Sequence, residues 1–189
     1  MTGSSWYFGY GANMARRVLA RRGITILESQ PARLPEHELT FEEPGIPYVE
    51  PVFAVVSPAA GESVHGVLHR ISDADLAQLD QFEGLGYDRA PVRVEGRECG
   101  EVHAFLYVSR RRVRAKGRRP SRRYVGLLIA GAREHDLPAH WIERLEAEPT
   151  FHAPLVGHVL PLVLRGMEQL QKRSPRFDRW IRRFAASQQ

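Results

Sequence analysis

From residue 24 to residue 108 the chain repeats one pattern: a short run of β-branched or alternating apolar residues, then a proline, glycine or serine that breaks it. Segments 24–27, 38–41, 51–56, 64–71, 89–94 and 102–108 therefore read as strands, the last two joined by a turn around Gly96 to Gly100. Helical periodicity appears on either side of this body and once within it. Met14, Val18 and Leu19 predict a short helix over 13–22, which Asn13 caps and Gly23 stops. Ser72, with Asp75 three residues on, reads as the N-cap of a helix carrying Leu76 and Leu79. Residues 124–132 have the apolar density of a buried helix, and Pro138 opens another whose stripe is Trp141, Ile142 and Leu145 and which Pro149 stops. Strands followed by helices make an α+β fold.

A chain of 189 residues with 43% hydrophobic content can bury one good core. One cysteine excludes an internal disulfide framework. The first residues lack the basic and apolar regions of a signal peptide, and the most apolar stretch, 155–164, is interrupted by Gly157, His158 and Pro161. The expectation is a cytoplasmic protein with no transmembrane segment. A net charge of +5 suggests nucleic acid until the charges are located. Nine of the 27 basic residues, and no acid, fall in 110–123, which leaves 18 basic against 22 acidic residues elsewhere. The basic character belongs to one segment, not to the folded body.

Two segments can carry chemistry. Tyr7-Phe8-Gly9-Tyr10-Gly11-Ala12-Asn13-Met14 is an aromatic strand running into a glycine turn and a helix start. Such a turn presents backbone amides that attract a carboxylate or a developing oxyanion, although a buried first strand with an ordinary tight turn has the same sequence. In the second, Glu83 follows the helix carrying Leu76 and Leu79 and is bracketed by Phe82, Gly84 and Tyr87. Partial desolvation there suits a general base, while a plain exposed helix end is the bland alternative. Asp80, inside the helix, reads as solvated or capping.

The Tyr10-Gly11-Ala12-Asn13-Met14 turn, the Phe82-Glu83-Gly84 and Tyr87 segment, and residues 121–145 with Tyr124, Gly131-Ala132, Leu137-Pro138 and Leu145 together resemble the gamma-glutamylcyclotransferase family. The resemblance covers roughly residues 6–149. It implies a compact small β-barrel, mixed but largely antiparallel, flanked by short helices over 1–149, with 150–189 as a basic amphipathic helical extension. It also implies a cofactor-free and metal-free enzyme that cyclises a γ-glutamyl group to 5-oxoproline and releases the attached amine. Glu83 would be the general acid/base. Gly11, Ala12, Asn13 and Met14 would hold the oxyanion or α-carboxylate through their amides, and Tyr10, Tyr87 and Tyr124 would line the pocket.

Two positions depart from that pattern. Alanine stands at 12 where members commonly have serine, which preserves a role for the backbone amide but not for a hydroxyl. Phe105 stands where the glutathione-related branch has tyrosine, removing a polar contact. A tailoring enzyme that strips a γ-glutamyl group from a larger amine, and a noncatalytic module using 110–123, are the alternatives. His65 and His69, four apart on a strand, share a face without a third ligand nearby, and Cys99 lies among acids that disfavour a thiolate. The arginine run reads as a solvated loop, a cationic rim over the pocket or a nucleic-acid site, the last disfavoured because aromatic interleaving is absent. In the tail, Phe177, Trp180, Ile181 and Phe184 form an apolar stripe suited to docking on the barrel or at a homodimer interface, rather than on a membrane surface.

Overall fold

The computed structural model describes residues 3–46, 49–83, 87–110 and 114–152. The expected C-terminal extension falls almost wholly on 153–189, outside the described residues. Five strands form a closed barrel: β1 (Ser4–Gly9), β2 (Ile26–Ile46), β3 (Glu50–Ser72), β4 (Tyr87–Gly96) and β5 (Gly100–Ser109), in the order β1-β3-β2-β4-β5. Among the described residues the strands of the barrel pair antiparallel except at the closure, where β1 meets β5 in parallel at Tyr7 and Phe105. A 3₁₀ turn (Ala12–Met14) and α1 (Arg16–Arg21) follow β1, α2 (Asp73–Glu83) follows β3, and α3 (Arg122–Glu134) and α4 (Ala139–Glu146) follow β5. Among the described residues no helix is long and apolar enough to cross a membrane.

Four of the six expected strands are halves of two long ones. Segments 24–27 and 38–41 merge in β2, and 51–56 and 64–71 merge in β3, although both strands contain prolines. The reason lies in the edges. β2 pairs with β4 only at Ala32 and Arg33, so most of its outer side asks for no ladder donors and tolerates Pro35 and Pro44. Bends go into bulges. The pairing jumps from Pro35–Ser63 to His37–Pro58, with Glu36 and Gly61 both in the left-handed region and the Glu36 carboxylate accepting the Gly61 N–H at 3.0 Å. Beyond the bend Leu39, Phe41 and Glu43 face inward opposite Val52, Ala54 and Val56, the period-2 pattern of a half-buried ribbon.

The main core runs through the barrel and out under the helices: Phe8, Leu34, Val64, Leu68 and Leu106 continue into Phe41, Leu128, Trp141 and Leu145. A second cluster of Tyr7, Leu19, Ile24, Ile71, Leu76, Leu79 and Tyr107 clamps α1 and α2 onto the outside of β1 and β5. β1 is therefore covered on both faces. Its run of consecutive aromatics, rather than an alternation, follows from that double burial. Ser72 caps α2 as expected, its hydroxyl accepting the Asp75 N–H at 3.1 Å. At the other end of the domain Gly131 lets α3 lie directly on the turn after β1, since a Cβ there would come within 2.7 Å of Ala15 N and Met14 Cβ.

Candidate active site

Leu76, Leu79 and Glu83 fall at i, i+3 and i+7 on α2, so the stripe that seats this helix on the barrel ends in a carboxylate. Glu83 is the last helical residue, its side chain 15% exposed. Its Oε1 accepts from Asn13 Nδ2 at 3.0 Å and is ion-paired with Arg22 Nη1. Among the described residues Oε2 accepts no hydrogen bond. One carboxylate oxygen is thus fixed by two donors and the other by none of the described residues.

Asn13 is not a helix cap. The chain makes a 3₁₀ turn over Ala12–Met14 and starts α1 only at Arg16, with no side-chain cap on either element. Buried Asn13 instead turns its amide toward Tyr7 Oη (2.8 Å) and Glu83, because a carboxylate and a phenol oxygen are better partners than the exposed amides a cap would serve. The turn also narrows the expected amide cradle. Met14 N–H donates to the Gly11 carbonyl at 3.1 Å and is unavailable to a ligand. Among the described residues the N–H groups of Gly11, Ala12 and Asn13 have no partner.

The tyrosines differ in how they are used. Tyr10 Oη donates to the Tyr107 carbonyl at 2.7 Å, tying the turn to β5. Tyr124 Oη accepts the Ala54 N–H at 3.2 Å and lies where a side chain on Gly11 would reach, 3.2 Å from that Cβ position. Tyr87 is half-buried against the second core cluster. Tyr7, Tyr10, Tyr107 and Tyr124 are all pushed above the ordinary phenol range, by burial first, and the negative charge of Glu83 adds to the rise in each. All four phenols therefore stay neutral. Phe105, where a polar contact would otherwise sit, stacks on Tyr7 with centroids 5.4 Å apart.

Asp80 is not only solvated: its carboxylate, still 35% exposed, accepts from Tyr107 Oη at 2.7 Å and pairs with Arg89 at 3.2 Å, fastening α2 to β4 and β5. His69 is fully buried and His65 half-buried against His140 and Trp141, so the strand face they share carries two separate environments. The arginine segment is partly consumed by the body it was expected to overhang. Arg110 pairs with Asp88, Arg114 with buried Glu43, and Arg123 with buried Glu50, which also accepts from Ser121. Neither Arg22 nor Tyr7 stands out in the sequence as a site residue. Arg22 is one cation among several around α1, and its pairing with Glu83 comes only with the placement of α2.

A model of the gamma-glutamyl cyclotransferase, AIG2-like family matches residues 7–125, which span the turn, Glu83 and Tyr124. The chain belongs to that family. Among gamma-glutamyl cyclotransferases, gliK of Aspergillus fumigatus is 30% identical over 181 residues, covering 82% of this chain and 66% of its own length. VerK of Clonostachys rogersoniana is 41% identical over 113 residues, 51% of this chain and 63% of its own. The chain thus spans just under two thirds of these relatives. A solved gamma-glutamyl cyclotransferase structure superposes with a TM-score of 0.69 at 23% identity, covering 84% of this chain and 99% of that one, and so shares the barrel fold.

Proposed function

We propose that this chain converts a γ-glutamyl compound into 5-oxoproline and a free amine. The observation that carries the reading is the Asn13–Glu83 bond, which sets a carboxylate with one oxygen unbonded beside a turn whose Gly11, Ala12 and Asn13 amides are likewise without a partner among the described residues. A γ-glutamyl group brings an α-ammonium and a γ-carbonyl in the same molecule. Glu83 Oε2 takes a proton from the ammonium, and the freed amine attacks the γ-carbonyl carbon to close a five-membered ring. The resulting oxyanion is held by the amides of Gly11, Ala12 and Asn13, a type of contact whose loss typically costs about 3 kcal/mol in the transition state. Collapse breaks the original C–N bond as Glu83 returns its proton to the departing amine, and the second proton that the ring nitrogen sheds on becoming an amide follows through the same carboxylate. Both protons lost by the α-ammonium leave on the released ammonium, so the balance closes without an added reactant. Folding the chain back on itself supplies proximity.

Arg22, paired with Glu83, puts a cation near the α-carboxylate that shares a carbon with the α-ammonium, and we assign Tyr87 and Tyr124 to the lining of the same space. Ala12 contributes its backbone alone. The internal pairing of Arg110, Arg114 and Arg123 favours this small-molecule reading over nucleic-acid binding by 110–123. The chemistry uses proton transfers and the exchange of one C–N bond for another, and suits a cofactor-independent, cytoplasmic enzyme.

Incubation with γ-glutamyl amino acids, γ-glutamyl amines and glutathione is expected to release 5-oxoproline from at least one class. Glu83→Gln should abolish release while preserving the fold. Folded wild-type protein that yields no 5-oxoproline from any of them would refute the assignment.

A further inference from the structure

His69 takes no part in the steps above, yet it is fully buried on β3 with both ring nitrogens engaged. Nε2 lies 3.1 Å from the Asn13 carbonyl oxygen, and Nδ1 lies 2.8 Å from Ser29 Oγ on the adjoining strand. A carbonyl only accepts, so Nε2 carries the ring proton; Nδ1 of the neutral ring then accepts from the Ser29 hydroxyl. Burial and the neighbouring ring of His135, 5.5 Å away, keep the imidazole neutral.

The bond to Asn13 has an onward effect. The Asn13 carbonyl belongs to the same peptide group as the Met14 N–H, which donates to the Gly11 carbonyl at 3.1 Å. That carbonyl in turn shares a peptide group with the N–H of Ala12. Hydrogen-bonded peptides in series polarise one another. The series runs from Ser29 through His69 and two peptide groups, and it ends on the Ala12 N–H, which has no partner among the described residues. The same contact holds Asn13, whose side chain holds Glu83.

We propose that His69 is a positioning residue, whose Nε2–H fixes the Asn13 peptide so that the Ala12 amide is aimed and polarised toward the oxyanion formed at the γ-carbonyl. The role rests on the cyclisation reading. It also supplies what a chain with alanine at position 12 needs, a stronger backbone donor where no hydroxyl is present. The γ-carbonyl oxygen carries full negative charge only after attack, so the contribution appears in kcat more than in KM.

The test uses His69→Leu, His69→Gln and Ser29→Ala on a γ-glutamyl substrate that the wild type turns over, with thermal denaturation and histidine ¹⁵N NMR as companions. His69→Leu should lower kcat about 10- to 100-fold, less than or near the loss of an oxyanion donor itself, with KM within about twofold. His69→Gln, whose amide can donate to the same carbonyl, should restore most of kcat. Ser29→Ala should cost a smaller part of it, and NMR should show the Nε2–H tautomer in the wild type. Undiminished kcat in folded His69→Leu overturns the proposal, as does equal damage from Leu and Gln. If His69→Leu does not fold, an Nδ1–H tautomer or an unaffected Ser29→Ala overturns it. A wild type inactive on every γ-glutamyl compound refutes the cyclisation reading and the positioning role with it, whereas an active wild type with an indifferent His69 refutes the positioning role alone.

Discussion

Replacing Asn13 by alanine removes two hydrogen bonds from one amide nitrogen, and their separate contributions can be read from a double-mutant cycle. A hydrogen bond to a charged group contributes about 1.5–3 kcal/mol. Arg22 shares the same Glu83 oxygen and the carboxylate retains 15% exposure, so the lower end, ~1.5 kcal/mol, is appropriate here. Tyr7 is 4% exposed, and leaving its hydroxyl without the Asn13 donor costs a further ~1.5 kcal/mol. Asn13→Ala should therefore destabilise the protein by about 3 kcal/mol, which for a chain of this size lowers Tm by about 6–12 °C. In a Glu83→Ala background the first contribution is already gone. The same substitution should then cost only about 1.5 kcal/mol, giving a coupling energy near 1.5 kcal/mol. Urea unfolding of the wild type, both single variants and the double variant measures all four corners. Losses that add to within about 0.5 kcal/mol would show that Asn13 and Glu83 are independent and would remove the physical basis for the site.

The acid response should carry the signature of His69. Burial, then His135, pushes its pKa from 6.5 down to about 3, so as pH falls the unfolded chain takes up this proton first and the stabilisation present above pH 6.5 is lost. Between pH 6 and 4 the wild type should lose about 1.4 kcal/mol per pH unit more than His69→Gln, as measured by urea unfolding across pH, and parallel curves would contradict this. Gly131→Val should cost about 1–3 kcal/mol by overpacking α3 against Ala15 and Met14, and kcat should fall with it because the displaced segment carries the amides. Calorimetry beside a 5-oxoproline assay checks both, and a Gly131→Val variant as stable as the wild type would show that α3 can shift freely.

What the sequence reveals is local. Ser72, Leu76 and Leu79 are close enough along the chain to announce a helix, and Glu83 at its end inherits a barrel-facing position from the same 3.6-residue period. The Pro-rich segments mislead because a proline breaks a strand only where its missing N–H is needed, and the edge of β2 is largely open. Asn13 misleads for a related reason: local preference favours an exposed cap, but Tyr7 and Glu83 provide better partners once β1 and α2 come together. Glu83 for Arg22 and Tyr107 for Asp80 are partners that lie 61 and 27 positions away. No window of neighbouring residues encodes them.

Tyr10 and Tyr107 are joined across 97 positions of the chain, and Asn13 and Glu83 across 70. Loops of that length close at an entropic cost that only the finished barrel offsets. No fragment of the domain holds a weaker version of the site. On the proposed cyclisation reading, chemistry and completion of the fold are the same event, so release of 5-oxoproline would serve as a reporter of domain integrity that a helix signal cannot match.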